Sequence, residues 1–290
     1  MNEKDYLSIR CRLPASMEDM LPLLIGQWPV LGTHIIETAA GRISAAIFLD
    51  PNHGEAAGPL GELLGELGAE EVSVETVAAE DWLAGYRRST RPFPIGLLWW
   101  IDPHPESPTE APRGRHRLVI EPRMAFGSGS HESTKLVLAA LETLDVVGAD
   151  VLDVGTGSGI LAVAAERLGA KIVVALDIDP DAVFVARQTA GQQVPPTMPR
   201  FFVGSVACLV GCAFDLVLCN MVASLFIPFL GELKLLLAAG GRAVLSGLLV
   251  SEMEAVVEAL DHSGLSVCDS STMGEWARLT VVPSAAGDGS

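Results

Sequence analysis

The sequence is poor in positive charge. Its 290 residues include 19 Lys and Arg against 36 Asp and Glu, which gives a formal net charge of −17. A protein that holds nucleic acid through a broad phosphate-binding face needs clustered Lys and Arg, so this class of function is disfavoured. The natural complement of such an acidic molecule is a basic partner.

Long apolar runs and paired cysteines are also missing. No stretch approaches the roughly 18 consecutive apolar residues of a membrane-spanning helix, and the first residues lack the apolar region of a signal peptide. The five cysteines include no C-x-x-C pair, so neither a zinc site nor a disulfide framework is predicted. We therefore expect a reduced, cytoplasmic, metal-free protein that does not span a membrane.

The apolar content points to two folded domains. Aliphatic and aromatic residues together with cysteine make up 49% of the chain, which excludes wholesale disorder. The length fits two domains at about 150 residues each. We predict a first domain over residues 1–78, a proline-rich linker with one short helix over 79–115, a catalytic domain over 116–283 and a frayed tail over 284–290.

The first domain alternates short apolar strands with helical stretches in the order β-α-β-β-α-β, which predicts a small ferredoxin-like α+β fold. Its second half is acidic, since residues 62–81 hold seven Asp and Glu and no Lys or Arg. Such a run is typical of a solvated face, and a docking surface for a basic partner is the alternative. In the linker, Trp99 and Trp100 are interpreted as interdomain packing, with a ligand-facing role as the alternative.

From residue 117 onward, continuous apolar strands alternate with helices of ten or more residues, one of them predicted over 223–237. This pattern predicts a doubly wound, mainly parallel sheet covered on both faces. The final strands are predicted to form a terminal hairpin with an antiparallel edge strand. The fold class is therefore α/β.

A glycine-rich turn is the sharpest feature of the second domain. Residues 151–159 read VLDVGTGSG, an apolar strand that runs into G-x-G-x-G and then a helix. Glycines at such a turn let the backbone approach a ligand, and the helix that follows offers unpaired N–H groups. In dinucleotide-binding folds the third glycine comes three residues after the second, whereas here it comes two after. This spacing, with an acid in the preceding strand, is typical of S-adenosylmethionine enzymes.

Two polar side chains end later strands. Asp177 lies twenty-two residues after Gly155, where an acid is expected to accept hydrogen bonds from ribose hydroxyls. The alternative for Asp177 is a helix N-cap, a role that Asp179 fits better. Asn220 ends a further strand, and its amide carbonyl can accept an amine N–H and aim the nitrogen lone pair. An asparagine in that place is otherwise a turn residue.

A family resemblance is carried by the segment 121–134, EPRMAFGSGSHEST, together with VLDVGTGSG, ALDIDP, DLVLCN, LSGLL at 245–249 and the late GEW at 274–276. These motifs closely resemble the PrmA family of class I S-adenosylmethionine-dependent methyltransferases, which modify the eleventh protein of the large ribosomal subunit. The resemblance covers about residues 79–282. It implies a Rossmann-like catalytic domain behind a mobile ferredoxin-like domain that recognises the substrate.

The resemblance also implies site residues. Its cofactor contacts fall on Thr134, Gly155, Gly157, Asp177 and Asn220, with Phe126 and Gly127 in a loop that covers the cofactor. We further expect Asn220 to orient the amine and Trp276 to wall the pocket. His131 has two interpretations, a general base or a support of the loop, and Arg123 departs from the glycine of the family pattern.

The predicted function is a protein N-methyltransferase that moves a methyl group from S-adenosylmethionine to lysine nitrogens of that ribosomal protein, with its N-terminal α-amine as a further acceptor. S-adenosylhomocysteine would be the product, the basic ribosomal protein the partner, and the enzyme a monomer. The alternative within the class is a methyltransferase of another protein lysine or a small amine. Outside it stand a nicotinamide-dependent oxidoreductase and a binding module without turnover.

Overall fold

The structure is a computed structural model that describes residues 6–14, 17, 21–25, 28–38, 42–77, 91–105, 109–121, 129 and 131–284. The chain divides into two compact units, residues 1–89 and 90–290. The predicted short helix of the linker, the loop residues Arg123, Phe126 and Gly127, and the tail from residue 285 lie outside the described residues.

The first unit has the predicted β-α-β-β-α-β order. The elements are β1 (Tyr6–Pro14), α1 (Leu21–Ile25), β2 (Val30–Thr38), β3 (Arg42–Leu49), α2 (Ala57–Glu66) and β4 (Glu70–Val77). The strands pair antiparallel in the sheet order β2-β3-β1-β4, which is the ferredoxin-like arrangement. Alternate residues of β1, namely Ile9, Cys11 and Leu13, are buried in one core with Leu60 and Leu64 of α2, as the two-residue period of a strand requires.

Part of the acidic run of the first unit lies on β4, where it faces arginines of the neighbouring strand β1. Arg10 pairs with Glu75, and Arg12 pairs with Glu71 at 3.0 Å. All of these side chains are largely exposed, so each pair contributes little to stability. The excess negative charge of this face is therefore smaller than the composition of the run suggests.

The second unit contains a seven-stranded sheet in the order β10-β9-β8-β11-β12-β14-β13. The first five strands run parallel, β14 pairs antiparallel with β12, and β13 is the edge strand, antiparallel to β14. The predicted terminal hairpin and antiparallel edge strand are thus confirmed. The strands are β8 (Asp150–Val154), β9 (Ile172–Asp177), β10 (Arg200–Val203), β11 (Phe214–Asn220), β12 (Leu237–Leu249), β13 (Leu265–Met273) and β14 (Trp276–Pro283).

Helices cover both faces of this sheet. On β11, Leu216 and Leu218 belong to the core of one face, and Val217 and Cys219 to the core of the other. The doubly wound α/β prediction is confirmed. The helices are α3 (Glu132–Leu141), α4 (Ile160–Arg167), α5 (Pro180–Gly191), α6 (Ala223–Phe226), α7 (Leu230–Leu235) and α8 (Met253–His262).

The prediction of one continuous helix over 223–237 is wrong. A short 3-10 segment, Ile227–Phe229, separates α6 from α7, and β12 already begins at Leu237. Pro228 lies in that segment, and a proline lacks the N–H that a continuous helix would need there. None of the helices in the described ranges is long and apolar enough to cross a membrane.

A small third sheet takes two of its three strands from the interval 79–115 that the sequence presents as a linker. It contains β5 (Phe93–Ile95), β6 (Trp99–Asp102) and β7 (His116–Val119), and Pro94 lies on its edge strand, where a missing N–H is tolerated. Trp99 is fully buried in the core of the second unit, and its indole N–H donates to the Leu138 carbonyl at 2.8 Å. Trp99 therefore packs within the second unit, contrary to the interpretation as interdomain packing.

Candidate active site

The glycine loop connects β8 to α4 at the carboxyl edge of the parallel strands. Gly155, Gly157 and Gly159 have φ values of 70°, 52° and 81°, a region that residues with a side chain rarely adopt. A Cβ on Gly159 would lie 2.9 Å from the Cβ of Ala186, and one on Gly155 would collide with the Met221 methyl group. The loop therefore needs glycine both for its conformation and for its close contacts.

Asp153 lies beneath this loop and is 1% exposed. Its Oδ2 accepts a hydrogen bond from the Thr156 hydroxyl at 2.7 Å, and this bond connects the end of strand β8 to the loop. Burial raises the pKa of Asp153 from its ordinary 3.8 to about 6, and the negative charge of Asp177 acts in the same direction. In the sequence, Asp153 stood out only as the acid in the strand that precedes the glycine turn.

Asp177 ends β9 beside the loop, and backbone N–H groups hold its carboxylate. Oδ2 accepts from Gly157 N–H at 3.0 Å, and Oδ1 accepts from Asp179 N–H at 3.1 Å. Asp179 is the N-cap of α5, since its side chain accepts from Asp181 N–H and Pro180 opens the helix. The cap is therefore Asp179, and the Asp177 carboxylate is left at the sheet edge with spare lone pairs for a ligand hydroxyl.

Asn220 ends β11, two strands from β9 and next to β8 in the sheet. Its amide nitrogen Nδ2 donates to the Thr134 hydroxyl at 3.1 Å. The amide oxygen Oδ1 is buried and has no hydrogen-bond partner in the part of the chain that the structure describes. A buried acceptor without a partner is costly unless a ligand supplies the donor.

The first turn of α3 supports this side of the site. His131 is the N-cap, and its Nδ1 lies 3.3 Å from Ser133 N–H and 2.8 Å from Ser133 Oγ. Because a backbone N–H can only donate, Nδ1 accepts, and the proton of the neutral ring lies on Nε2. The imidazole meets Trp276 edge to face, with ring centroids 4.5 Å apart. This geometry favours the support role of His131 over the general-base role.

Ser246 of β12 ties the same turn to the sheet. Its buried hydroxyl lies 3.2 Å from the Ser133 carbonyl and 3.0 Å from the Ala277 carbonyl. No local pattern showed what Ser246 contacts, because its partners lie 113 and 31 residues away. The available signal was its place in LSGLL, one of the motifs that carry the family resemblance.

The predicted site residues that the structure describes form two groups at the same edge of the sheet. Gly155, Gly157 and Asp177 belong to the glycine-loop side, and hydrogen bonds or ring contacts connect Thr134 to Asn220 and His131 to Trp276. Thr134 was predicted as a cofactor contact, and its hydroxyl here holds the Asn220 amide. Within the described ranges, no three His, Cys, Asp or Glu side chains come together as they would around a metal ion.

Comparison with known proteins identifies the family. The family model "Ribosomal protein L11 methyltransferase (PrmA)" matches residues 25–283. The protein of that name from Geobacter sulfurreducens is 35% identical over 301 residues, covering 96% of this chain and 98% of its own length. The one from Thermus thermophilus is 39% identical over 211 residues, covering 71% and 78%.

A solved structure agrees with this assignment. The ribosomal protein L11 methylase from Lactobacillus delbrueckii subsp. bulgaricus superposes with a TM-score of 0.63 at 26% identity. The match covers 68% of this chain and the whole of that structure. The extent of the family match and of the sequence identity leaves one assignment: the chain belongs to the ribosomal protein L11 methyltransferase (PrmA) family.

Proposed function

We propose that this protein methylates lysine amino groups, and the N-terminal α-amine, of ribosomal protein L11 in the cytoplasm, with S-adenosylmethionine as methyl donor. Membership of the family supports the reaction and the substrate. The single structural observation that carries the proposal is Asn220 Oδ1, a buried acceptor without a partner in the described chain. An amine N–H is the donor that this atom lacks.

The residues of the loop fit the cofactor. The glycine loop would hold its amino-acid end, since the loop brings backbone close to a ligand and α4 begins directly behind it. Asp177 would bind the ribose hydroxyls, because its carboxylate is held at the loop and retains acceptor capacity. When bound, S-adenosylmethionine would supply a methyl group from a positively charged sulfur: a nitrogen–carbon bond would form to a neutral amine as the carbon–sulfur bond breaks, with S-adenosylhomocysteine as the leaving group.

Asn220 would align the acceptor amine. Its Oδ1 accepts one amine N–H, which directs the lone pair of the same nitrogen away from the amide and along the line of transfer. Holding the reacting atoms in such an arrangement accounts for much of the rate of a transfer reaction. The amide supplies alignment and no proton transfer, so it works without a change of charge.

The amine must be neutral before it can react. A lysine in water has a pKa near 10.4, and desolvation lowers it. Trp276, which is partly buried against His131, would provide an apolar wall that favours the neutral form. The released proton passes to solvent, and no dedicated base is needed, in keeping with the engagement of His131 Nδ1 by Ser133.

The first unit would recognise the ribosomal protein. Ribosomal proteins are typically basic, and residues 1–90 hold 14 acidic side chains against 6 Lys and Arg. The pairing of some of these acids with Arg10 and Arg12 leaves charge steering as one contribution among several. Shape and apolar contacts of this unit would supply the remainder.

The acceptor can be identified by labelling. Purified enzyme and S-adenosylmethionine with a labelled methyl group are added to a bacterial extract that lacks its own family member, and labelled molecules are analysed by mass spectrometry. We expect label on lysines of ribosomal protein L11. Label on a small amine, or on another protein alone, would replace the proposed substrate, and no label at all would support a binding module without turnover.

Cofactor binding has its own test. Asp177→Ala should weaken S-adenosylmethionine binding about tenfold or more, the value of a charge-assisted hydrogen bond to a buried ligand. Asp181→Ala, on the exposed first turn of α5, is the matched control and should bind as the wild type does. Calorimetry with S-adenosylmethionine and with NAD also separates a methyltransferase from an oxidoreductase. Equal affinity of both variants would remove Asp177 from the site.

A further inference from the structure

We propose that Thr134 is a positioning residue that decides which end of the Asn220 amide faces the acceptor amine. This inference rests on the proposed function and deepens it. Thr134 is 2% exposed, and its hydroxyl accepts the Nδ2 hydrogen bond of Asn220 at 3.1 Å. That bond fixes the Nδ2 end of the amide on Thr134, so that Oδ1, a buried acceptor without a partner among the described residues, lies at the other end.

The orientation matters because the two ends of an amide have opposite roles. The oxygen only accepts hydrogen bonds, whereas the NH2 group only donates them. An amine that donates to Oδ1 keeps its lone pair free for the methyl carbon. If the amide were turned over, its NH2 group would donate to that same lone pair and occupy the electrons that must form the new bond. The reversed orientation therefore opposes the reaction.

The hydroxyl is held firmly enough to impose this choice. Thr134 lies in the first turn of α3, which His131 caps from the N-terminal side. The carbonyl of the preceding residue, Ser133, accepts a hydrogen bond from the Ser246 hydroxyl of β12. The turn is thus fixed to the sheet at one residue from Thr134, and Asn220 pairs in register with Ser246 across β11 and β12. The Asn220 amide, which donates, is therefore positioned by β11, and the Thr134 hydroxyl, which accepts, is positioned through Ser246 of the neighbouring strand β12.

The role of Thr134 can be separated from cofactor binding by two substitutions. Thr134→Val keeps the shape and removes the hydroxyl, whereas Thr134→Ser keeps the hydroxyl. We expect Thr134→Val to lower kcat about tenfold or more with KM for ribosomal protein L11 within about twofold, because a buried donor has lost its partner and the amide is free to turn. Thr134→Ser should stay within about threefold of the wild type.

The dissociation constant of S-adenosylmethionine, measured by calorimetry, should change less than about twofold in both variants. A tenfold change would correspond to about 1.4 kcal/mol. A parallel loss of cofactor affinity in Thr134→Val would overturn the proposal and make Thr134 a cofactor contact. Wild-type kcat in Thr134→Val would overturn it as well. An inactive wild type would instead refute the proposed function, so the two failures are distinguishable.

Combining Thr134→Val with Asn220→Asp tests whether Thr134 acts through Asn220. In Asn220→Asp both side-chain oxygens accept, so turning the group over changes nothing. Thr134→Val should then lower kcat by less than about twofold in the Asn220→Asp enzyme, which is a non-additive pair of substitutions. The same loss in both backgrounds would contradict the proposal.

A spectroscopic measurement covers the case in which Thr134→Val is poorly folded. The sequence holds three asparagines, Asn2, Asn52 and Asn220, so isotope-labelled asparagine gives three side-chain amide signals. In the wild type, the signal of Asn220 should be protected from solvent exchange by its bond to the Thr134 hydroxyl. Protection should persist in Thr134→Ser. An unprotected Asn220 amide in the folded wild type would refute the orientation itself.

Discussion

Asp153 offers a quantitative test of the environment beneath the glycine loop. The residue is 1% exposed, its carboxyl group accepts a hydrogen bond from Thr156, and burial raises its pKa to about 6. We consider the substitution Asp153→Asn, which keeps the shape and an acceptor for the Thr156 hydroxyl but removes the ionisation. The comparison of the two proteins isolates the free energy of placing this charge in the fold.

The direction of the pKa shift of Asp153 decides whether the free energy of unfolding rises or falls with pH. Because the folded pKa lies above the ordinary 3.8, the folded state retains its proton over a range in which the unfolded chain has lost it. The free energy of unfolding must therefore fall as the pH rises through this range and level off above the folded pKa. A change from 3.8 to about 6 corresponds to about 3 kcal/mol in total. Roughly half of it develops between about pH 5 and pH 8.

Urea unfolding at several pH values measures this effect. The difference in free energy of unfolding, Asp153→Asn minus wild type, should grow in favour of the variant by about 1 to 2 kcal/mol between about pH 5 and pH 8. Asp181→Asn, on the exposed first turn of α5, controls for the loss of one charge and should show no such growth. A difference that stays constant with pH would refute the buried, proton-retaining Asp153.

Three further predictions concern other parts of the molecule. In urea unfolding, Gly159→Ala should lower the free energy of unfolding by more than Gly148→Ala. Both positions have positive φ, so both variants carry a backbone strain of roughly 1–2 kcal/mol. Only Gly159 is also in close contact with a neighbouring helix. Asp102→Ala should destabilise the second unit by about 3 to 5 kcal/mol in the same assay, because it removes the partner of the largely buried Arg117. Raising the salt concentration should slow association with ribosomal protein L11 in stopped-flow experiments and leave S-adenosylmethionine affinity unchanged, and equal sensitivity of both would make the acidic charge a solubility feature.

Local patterns of the sequence predicted the fold well, and they placed the glycine turn and Asp177 at the ends of the correct strands. The G-x-G-x-G turn and Asp177 lie next to strands whose apolar runs mark them, and parallel strands bring their carboxyl ends to one edge of a sheet. Hydrogen bonds between Asp177 and the Gly157 backbone follow from that placement. These features depend on residues within one β-α-β unit, which is why spacing alone could locate them.

The contacts around Asn220 could not be predicted to the same depth. Thr134 and Asn220 are 86 residues apart, so no local pattern showed that their side chains share a hydrogen bond. The contact of His131 with Trp276 has the same character. At the level of the fold, the prolines that suggested a linker also occur on an edge strand, as Pro94 does. Pro228 carried the signal for the break between α6 and α7, and the apolar spacing around it was given too much weight.

We propose that this chain methylates amino groups of ribosomal protein L11 and that Asn220 aligns the amine. The decisive measurement is the rate of labelled methyl transfer to purified ribosomal protein L11 at saturating S-adenosylmethionine, for the wild type and for Asn220→Ala. We expect transfer by the wild type and a loss of about a hundredfold in kcat for Asn220→Ala, the effect of misplacing a reacting group, with cofactor affinity measured in parallel. Equal rates for the two enzymes, or no transfer by the wild type, would contradict this proposal.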